Sequence, residues 1–182
     1  MNPGPARGTS GRVVLDAAAI ARATRRMAHE ILERDRNPER LALLAIPEGG
    51  IPVADLLAAH LSEISGAPVA RGVLDVTLYR DDVIGRGRRP LPKSTKIEFS
   101  VTGRRVILVE DVVFTGRTVR AAMDAVIDFG RPEAIEVATL VDRGHREFPI
   151  KVDFVGKNIP TSRAEQVVLR RSAEGELEVA VV

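Results

Sequence analysis

The stretch Val106–Thr118, VILVEDVVFTGRT, restricts what this chain can fold into more than any other part of it. Four aliphatic residues, Val106 to Val109, lead into two carboxylates, Glu110 and Asp111, and then into a turn carrying Thr115, Gly116, Arg117 and Thr118. A helical period starts at once: Ala122, Ala125, Val126 and Phe129 fall at i, i+3, i+4 and i+7, and Gly130 with Pro132 closes it. The stretch therefore predicts a buried strand, an anion-sized loop and a helix. In an open parallel sheet, ligands lie beyond the carboxyl ends of the strands, so the strand would hold both acids toward a crevice. Thr115 and Thr118 offer hydroxyls, Gly116 lets the main chain approach closely, and the N–H groups opening the helix point at a bound anion. Carboxylates suit vicinal hydroxyls or a hydrated divalent cation, so the implied ligand joins a polyhydroxylated part to a phosphate, as a ribose 5-phosphate does. The competing reading is that the acids and the threonines only cap the helix.

The rest of the chain supplies a setting for that stretch. Residues 1–12, with Pro3, Pro5 and three glycines, read as a mobile tail, and residues 13–182 as one domain with enough core to fold alone. A helix is predicted from Asp16 to about Arg34, with Ile20, Met27 and Ile31 on one face. Arg22, Arg25, Arg26 and His29 form a basic stripe on another face, with Arg34 beyond it; a solvated surface and an anion-binding surface both explain it. Leu41–Ile46 reads as a second buried strand, followed by Pro47-Glu48-Gly49-Gly50-Ile51-Pro52 and a helix to about Ile64. Two strand-loop-helix units imply a parallel sheet with both loops at one edge. Pro68–Leu78 is β-rich, and Ala134–Val141 reads as another buried strand. The segment between them carries Arg86, Arg88, Arg89, Lys93 and Lys96 and reads as a lid or linker. Gly85 and Gly87 do not make a dinucleotide fingerprint, because Pro90 takes the third position and no helix follows. Phe154 and Val155 stand in a Gly- and Pro-bounded turn, where the ring either faces a planar base or packs in the core.

Composition removes several classes of function. With no cysteine there are no disulfides or thiolate metal sites, and His29, His60 and His145 have no zinc spacing. A net charge of +2 means that any nucleic-acid surface must come from local clustering. Aromatic residues make up 3% of the chain and tryptophan is absent, so base stacking would contribute little, and Arg planes and hydrogen bonds would carry recognition. No apolar run reaches the length of a membrane span and no signal peptide is read, which makes the cytoplasm the expected compartment.

The Val106–Thr118 stretch closely resembles the phosphoribosyl-diphosphate (PRPP) binding motif of the type I phosphoribosyltransferases. The resemblance implies an α/β fold: a parallel sheet flanked by helices, a small hood, and a flexible loop at about residues 80–100. It also implies catalytic roles for Glu110, Asp111 and Arg80, with the acids on the ribose hydroxyls and Arg80 reaching the diphosphate. Thr115, Gly116, Arg117 and Thr118 would cradle the 5′-phosphate, Val113 and Phe114 would also belong to the PRPP and nucleotide site, and Glu48, Gly49 and Gly50 would contact the diphosphate. Mg2+ would arrive with PRPP, near Glu110 and Asp111.

The segments RRMAHEI, DVTLYRDD, VEDVVFTGRT, VDRGHREFPI and DFVGKNIPTSR, in this order, resemble a narrower family over about residues 16–170: the pyrimidine-operon attenuation regulators, which are also uracil phosphoribosyltransferases. That resemblance implies joining of uracil N1 to C1′ of PRPP, giving UMP and diphosphate, with Phe154 and Val155 bordering the uracil in a hood at about 142–165. It implies binding of pyrimidine-operon leader mRNA hairpins under the control of UMP or UTP. The matching RNA residues are Arg25, Arg26, His29, Arg34, His145, Arg146, Lys151, Lys157 and Thr161. It further implies a homodimer or higher oligomer. The nearest relatives have Thr-Arg-Gly where this chain has Glu48-Gly49-Gly50. A unit charge at about 4 Å is worth roughly 4 kcal/mol at an effective dielectric near 20, so an inward Glu48 would weaken catalysis. A regulator without useful catalysis and a salvage enzyme without an RNA role stand as the alternatives.

Overall fold

A computed structural model describes residues 11–80 and 95–182. Five parallel strands form the main sheet in the order β3-β2-β4-β5-β6: β2 (Leu41–Ala45), β3 (Ala70–Val73), β4 (Arg105–Val113), β5 (Ala134–Asp142) and β6 (Phe154–Asn158). The helices are α1 (Ala17–Arg34), α2 (Gly50–Ser65) and α3 (Arg117–Ile127). A second, antiparallel sheet of order β1-β8-β7 joins the two ends of the chain through β1 (Arg12–Leu15), β7 (Val167–Arg171) and β8 (Leu177–Val181).

The unbroken apolar runs of β2 and β4 arise because both faces of the main sheet are covered. Leu41, Leu43, Ala45, Ile107 and Val109 pack toward α1, α2 and the small sheet. Their alternates Ala42, Leu44, Val106 and Leu108 pack toward α3 with Val119, Ala122, Ala125 and Val126. The first helix starts where the sequence placed it, with the Asp16 carboxylate accepting from Ala19 N at 2.7 Å.

Several boundaries differ from the sequence reading. Strand β4 runs on through both acids to Val113, because Glu110, Val112 and Val113 stay in register with Thr139, Val141 and Asp142 of β5. The β-rich run 68–78 yields only the short β3 and a 3-10 turn at Thr77–Tyr79, where Leu78 is 61% exposed. Helix α3 stops at Ile127, so Phe129 lies beyond it and is half-exposed instead of facing the core. Arg12, assigned to the tail, pairs with Val181. The hood expected at 142–165 is not a separate lobe: β6 is the fifth strand of the main sheet, and the small sheet is built from the chain ends. Residues 81–94 of the expected flexible loop, and residues 1–10, lie outside the described residues. Its far end is anchored, since Lys96 and Val73 exchange main-chain hydrogen bonds at 2.8 Å.

Candidate active site and nucleic-acid face

Both predicted loops sit at the carboxyl edge of the main sheet, one opening α2 after β2 and the other opening α3 after β4. Successive residues of a strand point to opposite faces, and this divides the acid pair. Glu110 shares the parity of Leu108 and looks toward α3; Asp111 shares that of Val109 and looks toward α2.

On the α3 side, a cleft of about 320 Å³ is lined by Glu110, Arg80, Phe114 and Thr115–Thr118. Gly116 has φ 89°, and a β-carbon there would meet Ile150 Cγ1 at 3.0 Å, so the turn needs glycine. The amides that open α3 follow this turn, an arrangement that favours anions at a helix N-terminus. Thr118 hydrogen-bonds Glu110. Burial and the neighbouring Asp111 push the Glu110 carboxyl up to about 8, against the opposing pull of Thr118, Arg80 and Arg146. Arg117, also in the lining, donates to Glu147 Oε2 at 3.0 Å and lies over the Phe148 ring.

On the α2 side, the Asp111 carboxylate packs against Gly49, and burial raises its pKa while the Val112 N–H offsets part of the rise. Glu48 is exposed and lines a different cleft, of about 420 Å³, with Gly49, Arg170 and Arg171 of the small sheet. Glu48 thus stands on the side of the loop that meets β7, the direction its sequence left open.

The base-side residues correct one expectation. Phe154 is in a strand, 1% exposed, with its ring under the Arg34 guanidinium at 4.5 Å. It packs in the core because it pairs with Ala138 as an inward position of β6, one of the two readings left open for its ring, and it stands in a strand where a turn was expected. Val155 is partly exposed on the same strand.

Of the nine basic and polar residues matched to an RNA surface, Arg26, Arg34, Lys151 and Lys157 lie on or beside β6 and His145, Arg146 and Thr161 beyond it, whereas Arg25 and His29 stand on the α2 side of α1. Arg26 donates to Val155 O at 2.9 Å and Gly156 O at 2.8 Å and pairs with Glu30, which ties the α1 stripe to β6. Arg25 pairs with Glu63 at 2.8 Å, and Arg34 reaches Glu136 at 2.7 Å and Asp153 at 3.3 Å. His29, Lys151 and Lys157 are exposed. Beyond β6, His145 Nε2–H donates to Thr161 O at 2.7 Å and its ring meets Phe114 edge-on at 5.6 Å. Arg146 donates to Phe114 O at 2.8 Å, Ile150 O at 3.2 Å and Asp142 Oδ2 at 2.6 Å, so it braces the phosphate loop as well as bordering the surface.

Two residues were missed. Buried Arg143 donates to Thr161 Oγ1 at 2.9 Å and Ser162 O at 3.1 Å and lies 4.2 Å over the Phe114 ring; a charged residue directly after a buried strand was the available signal. Thr139 donates to Asp111 O at 3.2 Å, which only tertiary pairing could reveal. Among the described residues no three His, Asp or Glu side chains converge as a metal cage, and no helix is long and apolar enough to cross a membrane.

A five-stranded parallel sheet with an acid pair and a helix-opening anion loop at its carboxyl edge defines a phosphoribosyltransferase, and residues 12–170 match the phosphoribosyl transferase domain. The fold is similar to that of a hypoxanthine phosphoribosyltransferase of Trypanosoma cruzi, with a TM-score of 0.71 and 21% identity, covering 93% of this chain and 95% of that one. A hypoxanthine-guanine phosphoribosyltransferase of Bacillus anthracis gives a TM-score of 0.65 and 24% identity over 81% of this chain and 83% of that one. Sequence similarity is far higher to the Bifunctional protein PyrR of Deinococcus radiodurans, 54% identical over 86% of both chains. The Bifunctional protein PyrR of Thermus thermophilus is 51% identical over 90% of this chain and 91% of that protein. The chain belongs to the PyrR family of phosphoribosyltransferases.

Proposed function

We propose that this protein regulates pyrimidine-operon expression by binding leader mRNA hairpins in a uridine-nucleotide-dependent way, and that it makes UMP and diphosphate from uracil and PRPP. The observation that carries the reading is the contact between its two halves. The basic strip from α1 across β6 to His145 and Arg146 abuts the ribose-phosphate cleft, where Arg146 of the strip donates to the carbonyl of Phe114 in the cleft lining. Lys and Arg neutralise RNA phosphates and release counterions, while bases in loops or bulges supply sequence.

In the transferase reaction the α3 loop holds the 5′-phosphate through the Thr115 and Thr118 hydroxyls and helix-opening amides. Glu110 and Asp111 accept from the ribose hydroxyls and offset positive charge developing at C1′ as diphosphate departs. Arg80, at the edge of the same cleft, meets the diphosphate. Either carboxylate, Glu110 on the α3 side or Asp111 on the α2 side, would serve singly as a hard oxygen donor to Mg2+, which takes one or two carboxylates besides substrate oxygens. When bound, Mg2+ neutralises charge on the leaving diphosphate. The main chain of Phe154 and Val155 borders the uracil. The protein acts in the cytoplasm as a homodimer or larger homo-oligomer.

The test is binding to a labelled pyrimidine-operon leader hairpin, with and without UMP, at two salt concentrations, beside turnover of uracil with Mg2+ and PRPP. Tight, UMP-enhanced, salt-sensitive binding with turnover is the expected result. Turnover without nucleotide-dependent RNA binding would leave a salvage enzyme, and RNA binding without turnover would leave a regulator that only senses nucleotide.

A further inference from the structure

The geometry points to Gly49 as a positioning residue for Asp111: the side chain missing at 49 is the space that the Asp111 carboxylate fills. This rests on the transferase reading of the site and goes beyond it. A β-carbon at 49 would lie 2.0 Å from Asp111 Oδ2, 2.2 Å from Cγ and 2.6 Å from Oδ1, so the whole carboxylate occupies that space. The loop has no room to withdraw. At the next position a β-carbon would lie 2.3 Å from Val109 O, so the opening turn of α2 is pressed onto β4 at two successive residues. Gly50 N donates to Ile46 O at 3.0 Å and Ile46 N to Val109 O at 2.9 Å, which fixes the turn to the sheet. Nor does the acid retreat with its strand, because Glu110 and Val112 on either side of it stay paired with Thr139 and Val141 of β5.

Loop and acid are thus matched sterically, and the matching explains Glu48-Gly49 better than loss of function does. Glu48 lines the cleft with Arg170 and Arg171, away from the Glu110 side. A residue with a β-carbon at 49 drives Asp111 off the loop. Grafting Thr-Arg-Gly here, by Glu48→Thr with Gly49→Arg, is therefore expected to lower turnover.

The test is a double-mutant cycle on the full-length protein with Gly49→Ala, Asp111→Ala and the double variant, plus the graft. Each is measured for kcat and KM for PRPP with Mg2+, KM for uracil, UMP affinity and melting temperature. Gly49→Ala is expected to lower kcat/KM for PRPP at least tenfold and leave KM for uracil unchanged. In the Asp111→Ala background the same change is expected to alter kcat/KM, UMP affinity and melting temperature less than twofold or by less than a degree or two. Equal effects of Gly49→Ala in both backgrounds, or no effect in either, overturn the inference, as does a graft faster than the natural sequence. If Gly49→Ala fails to fold, folding of the double variant supports the inference and its failure overturns it. A natural protein that binds UMP without turning over uracil defeats the catalytic reading alone, since UMP affinity and melting still decide the Gly49 question. A protein that binds neither ligand overturns both.

Discussion

Glu110 and Asp111 are neighbours in sequence, yet strand geometry sends them into two halves of the site built on different terms. The α3 half is assembled from local chemistry: one glycine at positive φ, two threonines and a helix N-terminus, all within a few residues of Glu110. The α2 half is assembled from tertiary fit: a loop with no side chain at 49 seated on Asp111, and a carboxylate at 48 facing the far end of the chain. A site can therefore keep one phosphate pocket in a form that sequence states outright while the facing pocket depends on contacts that sequence spacing does not carry.

The most severe way to break the local half is Gly116→Val. A β-branched residue at φ 89° and within reach of Ile150 is expected to destabilise the protein by about 1–3 kcal/mol and to reduce UMP affinity more than a hundredfold, read by thermal melting and calorimetric titration. Less severe but more diagnostic is Glu110→Gln. Above pH 8, where the Glu110 carboxyl is ionised, loss of a charged acceptor for ribose hydroxyls is expected to reduce UMP affinity by roughly ten- to a hundredfold, following about 1.5–3 kcal/mol for such bonds. Its stability effect has the opposite sign. The Glu110 carboxyl sits near 8 when folded against 4.5 as its ordinary value, so the folded state is favoured below about pH 4.5 and that advantage is lost as pH rises through 8. Roughly 3.5 pH units at ~1.4 kcal/mol each set a ceiling of ~5 kcal/mol. Ligand-free natural protein is expected to melt at falling temperature between pH 5 and 9, with a flatter profile for Glu110→Gln.

How much of this was legible follows the same division. The helix of residues 16–34, the buried strands and the strand-to-helix turn at Gly116 were readable because each depends on spacing or on a local cap: Asp16 caps its own helix, and Gly116 sits within the turn it makes possible. Phe154 was placed in a turn because Gly156 and Pro160 nearby resemble turn residues, while pairing with Ala138 of β5 makes it a strand position and selects core packing from the two readings of its ring. Phe129 keeps the helical spacing but falls past the last turn, where Asp128 N closes on Ala125 O and Val126 O. Nothing in the spacing of Glu48 or Gly49 announces Arg170 or Asp111 as neighbours, since those partners come from remote strands.

Arg146→Ala sharpens the contrast from the RNA side. Its guanidinium holds the carbonyl of Phe114 at the mouth of the α3 cleft, so losing it touches both activities. A three- to tenfold loss of UMP affinity is expected, about 1 kcal/mol for a net hydrogen bond, together with weakened hairpin binding. Lys157→Ala, exposed on the same face, is expected to weaken RNA binding only and to lower the salt-dependence slope by about 1, measured by titration at several salt concentrations.

The smallest effect is expected where simple charge counting gives a large one. If Glu48 opposed the diphosphate, even ~1.4 kcal/mol surviving from a Coulomb interaction would make Glu48→Gln about tenfold better for PRPP. The carboxylate instead stands exposed in the cleft with Arg170 and Arg171, across the loop from the Glu110 side, where solvent screening leaves little of that interaction. Glu48→Gln is therefore expected to change kcat/KM for PRPP less than threefold at physiological ionic strength. A tenfold gain would place the Glu48 charge against the diphosphate after all, and the α2 half would then be governed by electrostatics and not by the fit of Gly49 against Asp111.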